Sequence, residues 1–267
     1  MILAPEDTQF HIISKLVDIA ARDKKRANPV IKFIKQDFLY QLKNNFQGNR
    51  LKTPIMIAIT GESASGKSTF VRALTAQIRQ VEQAKNRNLL NFVSADNYFN
   101  DISDKIEEHG SFDSFLANEN YNPDAPSSFQ LGLMKSHLER LEYNEDVWIP
   151  EYKVNGSGVS MPDAIFIKSS PVIISEGIAV LYPEIRDVFH IKFYVEVNEK
   201  TRLERYLSRA VNNRNQTEKD ALEQYKVVNE SAIEHLIPRR KYADVIINGA
   251  ADISDFSAIA KEICDII

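Results

Sequence analysis

Short apolar runs alternate with segments of helical periodicity along most of the chain, from residue 51 onward. The apolar runs predict five strands, at 55–59, 89–94, 172–174, 191–197 and 245–247. A run that lacks a polar face is typical of a strand buried on both sides. Apolar residues spaced by three or four positions predict the intervening helices, at 67–81, 131–141, 201–211, 220–236 and 256–266. This alternation predicts an α/β fold, a three-layer sandwich of about five parallel strands with helices on both faces.

The first fifty residues show a different pattern, which predicts two helices. Apolar residues at helical spacing predict the first helix, at Phe10, Ile13, Leu16, Val17 and Ala20. Asn28-Pro29 resembles an N-cap followed by proline, and Ile31, Ile34, Phe38 and Leu42 would continue a second helix that ends at Gly48. We interpret residues 1–50 as a helical extension packed on a main domain at 51–267. An arm that contacts a partner or substrate is the alternative.

Composition and charge exclude several other classes. The 267 residues are 43% hydrophobic and 26% charged, which suits one mid-sized domain with an appendage. The formal net charge of −4 gives no reason to expect nucleic acid or an anionic membrane as a partner. Cys264 is the single cysteine, so no disulfide can form within the chain. The apolar runs are far shorter than a membrane span, and the N-terminus has no signal-like run, so we expect a cytoplasmic protein.

The most informative string lies between the first predicted strand of the main domain and the helix that follows it. It matches the pattern G-x-x-x-x-G-K-[ST] and reads Gly61-Glu62-Ser63-Ala64-Ser65-Gly66-Lys67-Ser68-Thr69. The two glycines allow a tight curl in which successive N–H groups point at one anion, and the helix dipole adds positive potential. Lys67 would contact the β- and γ-phosphates, and the Ser68 hydroxyl would ligate Mg²⁺. The string predicts a P-loop that binds ATP and Mg²⁺.

Three absences favour a small-molecule kinase over a switch or a motor. The D-x-x-G and N-K-x-D strings of GTPases do not occur in the sequence. The acidic pair that ends a later strand in motor ATPases is reduced to one carboxylate, Glu176.

Asp96 follows the second predicted strand of the main domain, where a carboxylate can orient an acceptor hydroxyl and take its proton. The alternative for Asp96 is a turn residue that caps the next segment.

Several short strings in a shared order resemble the uridine kinase branch of the P-loop kinases, which also holds phosphoribulokinase and bacterial-type pantothenate kinase. The resemblance covers roughly residues 53–250 and is carried by the whole order rather than by one string. The strings after the P-loop are Asp96-Asn97-Tyr98-Phe99, Asn120-Tyr121-Asn122-Pro123-Asp124-Ala125, Pro150-Glu151-Tyr152, Ile174-Ser175-Glu176-Gly177-Ile178, a lid at Leu203–Arg214, and Pro238 with Lys241–Ile247.

The resemblance implies a role for each matching position. Asp96 would be the general base, with Lys67 and Arg209 completing the catalytic set, and Glu176 would lie near Mg²⁺. The resemblance also implies a lid at about 201–217. Its arginines would close over the nucleotide phosphates, and they are Arg205, Arg209 and Arg214. Substrate contacts would come from Asp124, Tyr98, Phe99, Tyr152 and Gln224. The alternatives are a solvated helix face for the lid arginines and a core position for Tyr152.

The departures from the family pattern lie on the acceptor side. Lys153, Val154 and Ser157 replace the aspartate, aromatic residue and histidine that follow the tyrosine in uridine kinases. The charged stretch 101–119 is longer than in those enzymes and would be either a pantothenate-kinase-like insertion or a surface loop over the acceptor. We therefore predict an ATP-dependent kinase that acts on an alcohol of a small molecule, with a nucleoside as the first choice. Pantothenate or a sugar phosphate as acceptor, and a non-catalytic regulatory nucleotide-binding protein, are the alternatives; a homo-oligomer is compatible with the sequence.

Overall fold

The computed structural model describes residues 18–25, 29–34, 54–86, 88–119, 121–153, 157–214 and 216–264. The strands in these ranges are β1 (Ile31–Ile34), β2 (Ile55–Thr60), β3 (Leu90–Ser94), β4 (Val147–Tyr152), β5 (Ser160–Ile167), β6 (Val172–Glu176), β7 (Ile191–Glu196) and β8 (Val245–Asn248). The helices are α1 (Lys67–Lys85), α2 (Ser103–His109), α3 (Phe112–Glu119), α4 (Leu131–Glu142), α5 (Glu199–Arg214), α6 (Glu218–Ser231) and α7 (Ile253–Cys264).

The central sheet has six strands in the order β1-β8-β7-β2-β6-β3. Strands β2, β3, β6, β7 and β8 pair in parallel, so the predicted five-stranded parallel sheet is confirmed. Every connection between these parallel strands leaves the sheet at its carboxyl edge, where the ligands of such folds bind.

Side chains of β2 alternate between two cores, which explains why the strand is apolar at every position. Ile57 and Ile59 belong to the core under α1 and α7, where the Phe70 ring meets the Phe193 ring edge-on at 5.4 Å between centroids. Met56 and Ala58 belong to the opposite core, which includes the buried face of α4. The sheet is therefore covered on both faces, and the predicted three-layer α/β sandwich is confirmed.

The predicted second helix near the N-terminus is wrong where the structure describes it. Ile31–Ile34 is a strand that pairs antiparallel with β8 and places Ile34 opposite Val245. The Asp23 carboxylate accepts a hydrogen bond from the Ile31 N–H at 2.5 Å, which fixes the turn into the strand. The i, i+3 spacing of two isoleucines fits a helix, but the open edge of β8 offers backbone partners that the local pattern does not reveal. Residues 18–23 are helical, which agrees with the first predicted helix as far as Ala20 and extends it by three residues.

Other predictions for the N-terminal region fall outside the described residues. These are the helix positions Phe10, Ile13, Leu16, Val17, Phe38 and Leu42 and the helix end at Gly48. The division into an extension at 1–50 and a main domain at 51–267 stays a prediction. The part of 1–50 that the structure describes includes β1, which belongs to the central sheet.

A β-hairpin and a helical pair, neither of them predicted, stand beside the sheet. Strands β4 and β5 form an antiparallel ribbon with Trp148 opposite Phe166, and Pro150 interrupts the alternation that would have marked β4. The charged stretch 101–119 folds as α2 and α3 rather than as a loop. The Ile102 N–H donates to the Gly158 carbonyl at 2.9 Å, so this helical pair is joined to the turn region of the hairpin.

Candidate active site

A cleft of about 840 Å³ opens at the carboxyl edge of the sheet. Strand register determines what meets there, because Glu176 at the end of β6 lies opposite Ile59 on β2 and Ser94 on β3. The phosphate loop follows β2 immediately, and Asp96 follows β3. Three neighbouring strand ends therefore bring the loop, Glu176 and Asp96 into one cleft, and all predicted loop residues from Gly61 to Thr69 line it.

The phosphate loop has a backbone that depends on glycine. Gly66 has a φ of 100°, in the region that disfavours L side chains, and it directly precedes α1. A Cβ at Gly66 would lie 2.7 Å from the Gly249 carbonyl oxygen, and a Cβ at Gly249 would lie 1.7 Å from the Ser65 carbonyl oxygen. The loop is thus packed against the turn that follows β8. The loop residues and the N-terminus of α1 line the cleft, where the helix end favours an anion.

Lys67 and Glu176 form an ion pair on the floor of the cleft. The distance between Lys67 Nζ and Glu176 Oε2 is 3.3 Å, and about four fifths of each side chain is covered. Apart from this ion pair, the buried Glu176 Oε2 has no hydrogen-bond partner among the described residues. A buried carboxylate oxygen with room for a further partner, in the cleft that Ser68 also lines, fits a hard cation such as Mg²⁺.

No cluster of three or more His, Cys, Asp or Glu side chains that could hold a metal occurs in the described parts of the chain. Mg²⁺ usually takes one or two protein ligands and is completed by phosphate and water oxygens. Ser68 and Glu176 are the residues that would hold it.

Asp96 stands in a short 3₁₀ turn, Ala95–Tyr98, that begins where β3 ends. The Ser94 hydroxyl accepts a hydrogen bond from the Asp96 N–H at 3.3 Å, so Ser94 caps the turn and the Asp96 carboxylate is left for the cleft. Solvent reaches this carboxylate through the cleft, while the surrounding protein atoms desolvate it and raise its pKa. Lys67 opposes this rise in the pKa and Glu176 adds to it.

The lid arginines point inward rather than toward bulk solvent. Arg209 Nη2 donates to the Ser63 hydroxyl oxygen at 2.8 Å, and Arg205 Nη1 donates to the Gly249 carbonyl oxygen at 2.8 Å. Helix α5 therefore places two guanidinium groups against the phosphate loop and the turn beyond β8. The backbone of Arg214 belongs to α5, but its side chain lies outside the described residues.

The structure brings some of the predicted substrate residues to the cleft and leaves others away from it. Asp124, Phe99 and Gln224 line it. Tyr152 packs on Phe99 with ring centroids 5.0 Å apart and thus supports the cleft wall from behind. Tyr98 is completely buried and its hydroxyl lies 3.1 Å from His137 Nδ1, so it anchors the Asp96 turn in the core.

Asp124 has an unusual environment for a carboxylate. Burial raises its pKa, and Ser231 and His235 partly oppose that rise. Its backbone is fixed on both sides, because the Asp124 N–H donates to Asn122 Oδ1 at 2.9 Å and the Tyr182 hydroxyl donates to the Asp124 carbonyl. The side chain is therefore presented to the cleft from a rigid turn.

Two of the groups of cleft residues that were missed from the sequence lie beside the phosphate loop. The first is the turn after β8 with the start of α7, which lines the cleft through Gly249, Ala250, Ala251, Asp252, Ile253 and Phe256. A glycine two residues after the end of the strand predicted at 245–247 was the available signal. The second is Arg72, which is one turn into the helix that follows the loop and faces the cleft from there.

Comparison with known proteins agrees with this geometry. The sequence pattern of the phosphoribulokinase / uridine kinase family matches residues 56–254. The chain is 30% identical to a uridine kinase of Clostridium perfringens over 74% of its own length and 88% of that protein. It is 31% identical to uridine-cytidine kinase A of Dictyostelium discoideum over 77% of its own length, and this match spans 38% of that protein.

A solved structure supports the fold. Phosphoribulokinase from Rhodobacter spheroides superposes with a TM-score of 0.51 at 14% identity, over 73% of this chain and 70% of that one.

Within the described residues, none of the helices has the length and apolar character needed to span a bilayer.

Proposed function

This chain belongs to the phosphoribulokinase / uridine kinase family, and from that premise we propose that it transfers the γ-phosphate of ATP to a hydroxyl group of a nucleoside. Relatives at about 30% identity are named uridine kinase and uridine-cytidine kinase, which supports a pyrimidine nucleoside as acceptor. The phosphate loop, the lid arginines and Asp96 meet in one cleft, as phosphoryl transfer requires.

The observation that carries the choice of acceptor is the separation of charge across the cleft. Among the described residues that line it, the cations all lie on the loop side or on the lid: Lys67, Arg72, Arg205 and Arg209. The wall that holds Asp96, Phe99 and Asp124 offers two carboxylates and an aromatic ring. An anionic acceptor would meet like charges at this wall, and none of these four lining cations belongs to it. The site therefore favours a neutral polyol with a flat apolar part, as in a nucleoside, over pantothenate or a sugar phosphate.

The chemistry follows from where each group stands. The loop amides and Lys67 would hold the β- and γ-phosphates, and Arg205 and Arg209 would offset charge on the transferring phosphoryl group. Asp96 would accept a hydrogen bond from the acceptor hydroxyl, orient it for in-line attack and take its proton as the new P–O bond forms. The bond between the γ-phosphorus and the β–γ bridging oxygen breaks in the same transfer, and ADP leaves. Asp124 would bind sugar hydroxyls. Mg²⁺, held by Ser68 and by Glu176, would neutralise phosphate charge when bound.

A spectrophotometric assay of ADP release tests the proposal. Purified protein with MgATP is supplied with uridine or cytidine, and in parallel with pantothenate, glycerate or a pentose phosphate. We expect release with a nucleoside and background release with the anionic compounds. Release driven by an anionic acceptor would overturn the choice of substrate class.

A second measurement separates catalysis from binding alone. Calorimetry with ATP and Mg²⁺ reports whether the loop binds a triphosphate. Binding without ADP release on any acceptor would favour the regulatory alternative, and absence of binding would overturn the proposal as a whole.

A further inference from the structure

A buried ion pair connects the phosphate loop to the lid. Glu62 follows Gly61 at a position that the phosphate-loop pattern leaves open, and its Oε1 lies 3.5 Å from Arg202 Nη1 on α5. Only 8% of Glu62 and 6% of Arg202 is exposed. Side chains of these types are almost never so deeply buried unless they are paired.

Arg202 also contacts the next helix along the chain, α6. Its Nη2 donates a hydrogen bond to Asn229 Oδ1 on α6, and its guanidinium lies 5.7 Å from the centroid of the Tyr225 ring. One buried cation therefore joins the phosphate loop, α5 and α6.

The spacing along α5 relates this contact to the arginines in the cleft. Arg205 and Arg209 follow Arg202 by one and two helical turns, so the three side chains share one side of the helix. Arg205 and Arg209 are held by the hydrogen bonds to Gly249 and Ser63 at the cleft, while Arg202 is the most deeply buried of the three. The Glu62–Arg202 contact thus lies at the most deeply buried arginine of this row.

We propose that the Glu62–Arg202 pair positions the lid helix so that Arg205 and Arg209 meet the transferring phosphoryl group. This inference rests on the proposed function, because it assigns the pair a role in phosphoryl transfer. A buried pair that contributes only to stability can often be replaced by neutral side chains without loss. A positioning pair cannot, because neutral side chains would restore stability without restoring the placement of α5.

The charged and titratable groups around Glu62 determine which charges stay buried after each substitution of the pair. Besides Arg202, the groups that face its carboxylate are Tyr194 and Glu196 on β7 and Arg240 before β8. Burial raises the pKa of Glu62, and Arg202 opposes this rise. Removing Arg202 alone therefore leaves the Glu62 carboxylate poorly solvated and without its partner, which should destabilise the protein. Substitution of both residues removes this buried charge.

The test compares Arg202→Met with the double variant Glu62→Gln/Arg202→Met. Arg140→Met is the matched control, because Arg140 is half exposed and pairs with Glu145 on the surface. We expect Arg202→Met to lower both Tm and kcat. The double variant should regain Tm while its kcat stays about tenfold or more below wild type, with the acceptor KM changed far less, because transition-state contacts are lost and ground-state contacts kept.

Two outcomes would overturn the inference. One is a double variant that regains kcat together with Tm, which would make the pair merely structural. The other is an Arg202→Met kcat equal to that of Arg140→Met.

Hydrogen exchange of the α5 amides provides a readout that does not need catalysis. Faster exchange in the double variant than in wild type supports anchoring of the helix, and equal exchange contradicts it. If wild type releases no ADP with any acceptor, the proposed function fails, while the exchange comparison still decides whether the pair anchors α5.

Discussion

Lys67 Nζ lies 3.3 Å from Glu176 Oε2, so the cation of the phosphate loop faces the carboxylate that ends the neighbouring strand. A triphosphate in the loop would bring its own negative charge to Lys67 and compete with Glu176 for the ammonium group. Glu176 would then be released toward the water ligands of Mg²⁺. The ion pair thus holds both side chains at the place where a phosphate group and its metal ion would meet.

Asp96→Asn should lower kcat by about 10²–10⁴-fold and leave MgATP affinity within a few fold, because the amide can orient the hydroxyl but cannot take its proton. Steady-state kinetics and calorimetry measure the two effects. Asp187→Asn is the control, since 86% of the Asp187 side chain is exposed on the surface. Unchanged turnover in Asp96→Asn would remove Asp96 from the role of base.

The acid limb of the pH profile should reflect the environment of Asp96. Desolvation by the surrounding protein atoms raises its pKa above the ordinary value of 3.8, Lys67 opposes this rise, and Glu176 adds to it. A base must be ionised, so kcat/KM should fall as the pH drops through this raised pKa, at a higher pH than for an aspartate surrounded by water. Profiles recorded together with Tm at each pH separate titration from unfolding. An acid limb at or below pH 3.8 would contradict the expectation.

Gly249→Ala should abolish the packing of the phosphate loop against the turn after β8. The added Cβ would lie 1.7 Å from the Ser65 carbonyl oxygen, so the loop backbone must move. We expect MgATP affinity to fall by more than about tenfold, or ~1.4 kcal/mol, in calorimetry. Gly132→Ala is the control, because a Cβ there meets no heavy atom within 4 Å. Equal affinities in the two variants would show that the contact does not shape the loop.

Glu82→Gln should destabilise the junction between α1 and β3. Glu82 Oε1 accepts hydrogen bonds from the Leu89 and Leu90 N–H groups at 2.6 and 2.8 Å. Burial alone would raise the pKa of Glu82, but these hydrogen bonds and Arg79 outweigh it and lower the pKa. Loss of the charged acceptor should reduce the free energy of unfolding by about 1–3 kcal/mol at neutral pH.

The sign of the pH dependence checks this account of Glu82. Because its pKa is lower in the folded than in the unfolded protein, the stabilisation is present above pH 4.5 and is lost as the pH falls through the folded-state pKa. The difference in Tm between wild type and Glu82→Gln should therefore shrink in acid. Glu139→Gln, at an exposed pair with Lys135, serves as the control and should show little difference at any pH.

Local patterns predicted most of the sheet because its strands are buried on both faces and are short. Ile57 and Met56 lie in different cores, so both positions of the strand are apolar. Such a run can be recognised without knowing which strands pair with it. Strand β1 was missed since its identity depends on pairing with Val245 and its neighbours, far away in the chain. The hairpin was missed because Pro150 and the exposed Trp148 disturb the period of β4.

The site could be predicted where a backbone conformation requires particular residues. Gly66, Lys67 and Ser68 were identified because a loop around phosphate tolerates few alternatives. Tyr98 was assigned to substrate but lies in the core, since neighbours in a short 3₁₀ turn point in different directions. The contact of Glu62 with Arg202 could not be predicted from the sequence. It joins the phosphate loop to α5, and these two segments meet only through the tertiary packing of the folded protein.

Strand β1 has a consequence for how the protein acquires its structure during synthesis. Its only strand partner in the described part of the chain is β8. Ile34 can pair with Val245 only after Val245 has left the ribosome, about two hundred residues later in synthesis. Until then, Val30 and Ile31, which are buried in the finished molecule, have no sheet edge to cover. Such a distant pairing closes late and slowly, so the nascent chain would expose an apolar segment that a chaperone could bind.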